Sequence, residues 1–219
     1  MKTTNNLFLP VCIQLDYSLI TSCLLVEVVI QLLNRNPLLF FCLPFWALRG
    51  KTYFQDKVFG TCLIDISVLP FRKKILDSFK GHNEYGVDIY LVSTSNKKIT
   101  QYISGRLGIF TDSIVATNNH LLLKKIKERF PEGFVYVGGR SNEIGLIENA
   151  AVCYLVEPNA SVLYQAKKFG NIETVFRRRA DKIKIFFETV HIKKIWLSFL
   201  SFLSLYFVPV FKSVYISYL

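Results

Sequence analysis

Short apolar runs alternate with amphipathic stretches along most of the chain. Residues 11–15 (VCIQL) are an apolar run that breaks at Asp16, the pattern of a buried strand entering a polar loop. Residues 20–33 repeat their apolar positions at helical spacing, with Glu27 and Gln31 on one side. Further on, residues 68–80, 97–107, 120–130 and 142–149 carry helical patterns. Residues 87–93 (VDIYLVS), 113–116, 133–138 (GFVYVG) and 151–156 read as short buried strands, the last one closing before Pro158.

Strands separated by helices of this length imply a parallel sheet covered on both faces. With right-handed crossovers the sheet is a Rossmann-like α/β domain. Its ligand crevice is expected at the carboxyl ends of the strands, where Asp16, Thr94 and Gly139 fall.

Two apolar stretches do not fit that alternation. Residues 37–48 (PLLFFCLPFWAL) are too short for a bilayer span and are interrupted by Pro44. They read either as a buried helix pair or as a hairpin dipping into the headgroup zone, with Arg49 and Lys51 at the lipid surface. Residues 195–211 (IWLSFLSFLSLYFVPVF) contain no charge and approach the length of a transmembrane helix, on which Ser198, Ser201 and Ser204 share one face. A cluster of Arg177, Arg178, Arg179, Lys182, Lys184, Lys193 and Lys194 precedes this stretch, and Lys212 follows it. That asymmetry predicts a single-pass membrane protein with its α/β domain in the cytoplasm. The expected boundaries are an α/β domain over 1–175, a basic juxtamembrane helix over 176–194 and a transmembrane segment over 195–219.

Composition supports this division. Of 219 residues, 51% are apolar and 15% aromatic, which excludes a disordered chain. Lysine and arginine number 27 against 16 acids, a net charge of +11. Beside an apolar span, such a charge points to anionic lipid as the partner and not to nucleic acid. The five cysteines are scattered and never spaced C-x-x-C, and the three histidines lie far apart, so neither a disulfide framework nor a sequence-local metal cluster is indicated.

Three segments carry a resemblance. Residues 11–20 (VCIQLDYSLI) resemble the first motif of haloacid-dehalogenase-like phosphatases, an apolar strand followed by D-x-D-x-[TV]. Residues 91–95 (LVSTS) resemble the second motif, and residues 136–147 (YVGGRSNEIGLI) the fourth, ordinarily G-D-S-x-x-D. Residues 34–51 and the junction over 176–203 are similar to a subgroup in which such a domain precedes a membrane prenyltransferase of the UbiA type. The resemblance spans nearly the whole chain and is closest at the cap and the junction. It implies a helical cap inserted after the first strand, at about 20–68.

The resemblance also implies roles. The first aspartate of motif one attacks phosphorus as an ionised carboxylate, and that position is Gln14 here. Asp16 matches the second aspartate, the general acid/base; Ser18 takes the threonine position and, with Thr94 of motif two, would bind phosphate. In the other register Asp16 would be the nucleophile and Ser18 would stand at the acid/base position. The lysine of motif three has no exact counterpart: counting lands on Leu122, with Lys124 and Lys125 nearby. In motif four Gly139 replaces a magnesium-binding aspartate, and Glu143 stands for the later one.

Magnesium prefers hard oxygen ligands anchored by one or two carboxylates, so the replacements at Gln14 and Gly139 predict no metal cofactor, with Asp16 and Glu143 as the residual donors. The expected function is a membrane-tethered, catalytically inactive phosphatase-like domain, a remnant or partner of a UbiA-type polyprenyl transferase system. The alternatives are an active magnesium-dependent phosphomonoesterase with an atypical site, or the front part of a split prenyltransferase fusion that pairs with a membrane prenyltransferase subunit.

Overall fold

A computed structural model describes residues 9–62, 64–84 and 86–177, the side chains of residues 81–84 excepted. Six strands form one parallel sheet: β1 (Val11–Gln14), β2 (Ile89–Ser93), β3 (Asp112–Val115), β4 (Val135–Gly138), β5 (Val152–Val156) and β6 (Ile172–Phe176). Their order is β3-β2-β1-β4-β5-β6, so the chain reverses its direction of winding between β1 and β4. Strand alternation sorts the core into two layers. Val11 and Ile13 join Ile89, Leu91, Val135 and Val137 on one face, while Cys12, Val92, Tyr136 and Leu155 line the other.

The first face is covered by α1 (Leu24–Arg35), α3 (Lys51–Thr61), α4 (Lys73–Glu84) and α5 (Lys97–Leu107), through Leu24, Val28, Val58, Ile75, Phe79 and Ile103. The second face is covered by α6 (Asn119–Arg129), α7 (Ile144–Asn149) and α8 (Ala160–Phe169), through Leu122, Ile126, Leu146, Ile147 and Val162. Asparagine side chains start three of these helices: Asn96 accepts from the Lys98 N–H, Asn118 from Leu121 and Asn159 from Val162. Asn159, the first residue of a glycosylation-like Asn-Ala-Ser triplet, is thereby occupied as a helix cap.

Between β1 and β2 lies a helical insertion at the place expected for the cap. It comprises α1, a 3-10 turn (Pro37–Phe41), α2 (Cys42–Leu48), α3 and a second 3-10 turn (Ile66–Val68). Gln31 on α1 clamps the backbone of Asp65, donating to its carbonyl at 3.1 Å and accepting from its N–H at 2.9 Å. Asn96 reaches Asp56 of α3 at 3.2 Å and ties the insertion to the start of α5.

Several expectations need correction. α1 begins at Leu24 rather than residue 20, because Ile20 bridges to Phe71 and the Thr21 N–H donates to the Pro70 carbonyl. α4 covers Lys73–Glu84, not 68–80, because Ile66–Val68 forms its own turn under the Asp65 side chain. The sheet does not end at Val156. α8 and β6 follow it, and β6 runs to Phe176, one residue past the expected boundary at 175 and into the expected basic helix. Residues 37–48 are not a buried helix pair, since no residue of either short helix is fully buried. The expected basic helix from residue 178 and the transmembrane segment over 195–219 lie outside the described residues. Among the described residues, no helix is long and apolar enough to cross a membrane.

Candidate functional site

The reversal between β1 and β4 opens a crevice at the carboxyl ends of the strands. β1 delivers Gln14 there, side by side with Val92 of β2, and its side chain is buried. The amide oxygen Oε1 has no hydrogen-bond partner. Beyond Gln14 the chain turns sharply over Leu15–Leu19, closed by the Ile20 N–H donating to the Leu15 carbonyl at 3.0 Å. This turn forces Tyr17 to a φ of +62°, unusual for a side chain of that size. It also buries Asp16 and leaves the Ser18 hydroxyl buried without a partner.

Asp16 is held by its surroundings. One carboxylate oxygen accepts from the Leu24 N–H at 2.7 Å, at the start of α1, and the other accepts from the Ser95 hydroxyl at 2.9 Å. Burial pushes its pKa up, and these bonds, with smaller contributions from Cys23 and Ser93, pull it back. The hydroxyl that bonds Asp16 is therefore that of Ser95, not that of Thr94, which is half-buried on the same loop. Ser93 ends β2 fully buried and accepts from the Ser95 N–H at 3.0 Å. The run Ser93-Thr94-Ser95 was the available signal. Residues i and i+2 leaving a strand share a side, so Ser93 and Ser95 go together.

Across the crevice, β4 ends in Gly138 and Gly139. Glu143 turns back beneath them: its Oε2 accepts from the Gly139 N–H at 2.9 Å and from the Arg140 N–H at 3.1 Å. It is buried, which raises its pKa, and the two N–H donors oppose that rise. The Tyr136 phenol, fully buried beside it, is held well above its ordinary value by burial and by the Glu143 charge. The two glycines are required by this packing. A Cβ on Gly138 would sit 2.6 Å from Glu143 Oε2. One on Gly139 would collide with the Val156 carbonyl oxygen and lie 2.9 Å from its carbon.

Both lysines considered for a phosphate-facing role have other partners. Lys124 is exposed beside Glu128 at 3.9 Å, and Lys125 Nζ donates to the Val115 carbonyl, at the end of β3, at 2.7 Å. Leu122 is a core residue. Two arginines that the sequence did not single out frame the crevice instead. The Arg140 guanidinium stacks 3.9 Å over the Tyr17 ring. Arg72 forms a two-bond ion pair with Glu157 and reaches the Tyr17 carbonyl at 3.4 Å. Among the described residues, Glu157 is the other non-glycine residue at positive φ, +45°. Arg72 thus joins both strained positions, and only the folded chain brings these three residues together.

The oxygen donors that magnesium would need are few here. Gln14 offers one neutral oxygen, residue 139 has no room for a side chain, Glu143 is committed to its own loop, and the Asp16 carboxylate bonds Leu24 and Ser95. Among the described residues, no group of three histidine, cysteine, aspartate or glutamate side chains is placed to hold an ion.

No protein-family profile matches the chain. In sequence it is 26% identical over 184 residues to the uncharacterized protein y4nM of Sinorhizobium fredii, an alignment covering 80% of this chain but 35% of that one. The chain thus spans about a third of the length of this relative. Among solved structures, a protein of unknown function from Bordetella pertussis Tohama I superposes with a TM-score of 0.58 at 13% identity, over 76% of this chain and 97% of that one. A phosphoserine phosphatase in apo form follows, with 0.53 at 15% identity over 78% and 94%. A HAD-family hydrolase from Salmonella enterica serovar Typhi gives 0.52 at 12% identity over 75% and 68%. A reversed parallel sheet, an insertion after β1 and a sharp turn beyond the β1 terminus accompany these superpositions, and the chain therefore has the fold of the haloacid-dehalogenase-like hydrolases.

Proposed function

We propose that this phosphatase-type domain binds or positions without cleaving phosphate, as a membrane-tethered remnant or partner of a UbiA-type polyprenyl transferase system. The observation that carries the inactive reading is the pair at the switch point. Gln14 stands at the β1 terminus, where a carboxylate would have to attack phosphorus, and the Val156 carbonyl fills the space a residue-139 side chain would need. An amide is a poor nucleophile, and loss of a nucleophile raises the barrier by several kcal/mol, each tenfold in rate being about 1.4 kcal/mol.

Asp16 also has a sufficient structural role, since it joins the start of the cap to the β2–α5 loop. The tether rests on the charge-free stretch 195–211 and its basic flank. The link to a larger system is supported by the resemblance at residues 34–51 and 176–203, and by a relative much longer than the matched stretch.

The test is phosphate release from p-nitrophenyl phosphate with magnesium, using the full chain and its Asp16→Asn variant. Both should remain at the uncatalysed rate. Turnover by the unmodified chain that Asp16→Asn abolishes would establish an atypical phosphomonoesterase instead. For the tether, membranes containing the full chain are washed with alkaline carbonate. Retention in the pellet is expected, and complete release would remove this part of the proposal.

A further inference from the structure

The cap carries an apolar surface that no described part of the chain covers. Leu48 is 85% exposed, Phe45 69%, Phe41 56%, Leu38 53% and Phe40 52%. They belong to two consecutive short helices, and two of them, Phe45 and Leu48, line a cavity of about 410 Å³ together with Trp46, Arg49 and Tyr53. Clustered exposure of this kind on one element marks a surface with an occupant.

The charge around it identifies the occupant. Between residues 34 and 58 there are four cations, Arg35, Arg49, Lys51 and Lys57, and one carboxylate, Asp56, which is already engaged by Asn96. Tyr53 lies between two of those cations: the Arg49 guanidinium is 5.2 Å from its ring centroid and donates to its hydroxyl at 3.1 Å, and Lys57 Nζ is 5.7 Å away. A second copy of this chain would bring the same positive rim against itself. The chain's own segment from Arg177 to Lys194 would bring seven further cations against two acids, Asp181 and Glu188. Both meet repulsion. An anionic bilayer offers complementary charge and an apolar interior beneath it. Phenylalanine, tryptophan and tyrosine backed by arginine and lysine also suit the headgroup boundary.

We infer that the surface formed by Leu38, Phe40, Phe41, Phe45 and Leu48, rimmed by Arg49 and Lys51, docks in the headgroup layer of an anionic phospholipid bilayer. This contact is separate from the proposed C-terminal tether. It would hold the cap against the membrane instead of leaving the α/β domain free on a stalk.

Trp46 lines the cavity beside Phe45 and Leu48, half-buried against the core, and the only other tryptophan is Trp196. The full chain carrying Trp196→Phe is mixed with vesicles of phosphatidylcholine, with or without phosphatidylglycerol, containing acyl-chain-brominated lipid. Trp46 emission should shift to the blue and be quenched on the anionic vesicles only. Each surface cation contributes about 1 kcal/mol, roughly fivefold, to binding an anionic membrane. Arg49→Gln with Lys51→Gln should therefore weaken the vesicle binding constant about 25-fold. Phe45→Ser with Leu48→Ser should abolish quenching while leaving the circular dichroism melt unchanged.

Vesicles that sediment with the chain while Trp46 stays unquenched would overturn the cap contact and leave the tether standing. Absence of sedimentation with any vesicle would overturn both. Equal quenching on neutral vesicles would overturn the anionic commitment. Resistance of an introduced Leu48→Cys thiol to a water-soluble maleimide, read by peptide mapping before vesicles are added, would assign the surface to the chain's own segment if the protein sediments as a monomer, or to a second copy if as a dimer. Either result would overturn lipid docking.

Discussion

At the scale of single residues, the crevice is decided by what sits at positions 14, 139 and 143. Restoring an aspartate at residue 139 looks like a simple reversal on paper, but the Val156 backbone occupies that volume. We expect Gly139→Asp to cost at least about 2 kcal/mol in urea unfolding, because overpacking is joined by a buried, unpaired charge. Gln14→Asp with Gly139→Asp should accordingly fail to generate phosphatase activity. A double variant as stable as the unmodified chain would contradict this packing argument.

Glu143 supplies a test by pH. Burial raises its native pKa above the ordinary value of 4.5. The native state then holds the proton more tightly than the unfolded chain does. The resulting stabilisation is fully present below about 4.5 and is lost as pH climbs through the raised native value. The melting temperature of the unmodified chain relative to Glu143→Gln should therefore fall as pH rises from 4.5 towards neutrality. A constant difference would show that the carboxylate is not held as described.

At the scale of elements, the loop beyond β1, the start of α4 and the end of β5 meet at Arg72. Its pair with Glu157 is two-bonded and mostly shielded from solvent, so it is worth more than an ordinary surface pair. It also restrains Tyr17 and Glu157, both at positive φ. We expect Arg72→Ala to lower stability by about 1–3 kcal/mol. A double-mutant cycle with Glu157→Ala should return a coupling of about 1 kcal/mol or more. Independent, additive effects would mean that the pair is incidental. The element pattern itself was largely legible: short apolar runs separated by helical patterns located β1 through β5 within a few residues. α8 and β6 were missed because residues 160–176 mix Lys167, Lys168, Glu173 and Thr174 with their apolar positions. β6 is an edge strand, and only its contacts with β5 and Tyr154 distinguish it from a polar linker.

Across the whole molecule, the two core layers and the cap differ in what they contribute. The cap's exposed side chains do little for folding, so Phe45→Ser and Leu48→Ser should shift stability by no more than about 0.5 kcal/mol. Phe134→Ala, in the layer beneath α6 and α7, should cost about 3–5 kcal/mol. In amide exchange, the central strands β1 and β4 should be the slowest to open, and α2 among the fastest. A cap as protected as the sheet would mean that its apolar surface is already covered in solution.

The sequence by itself determined the alternation of strand and helix and the neutral residues at 14 and 139, whereas the insertion after β1 was expected only from the family resemblance. The first two follow from local periodicity and from side-chain chemistry, neither of which needs a neighbour distant in the chain. Which hydroxyl bonds Asp16, why residue 139 has no room for a side chain, and how Arg72 finds Glu157 were decided only by the tertiary structure. Each depends on residues separated in sequence that the parallel sheet brings together at the carboxyl ends of β1, β2, β4 and β5.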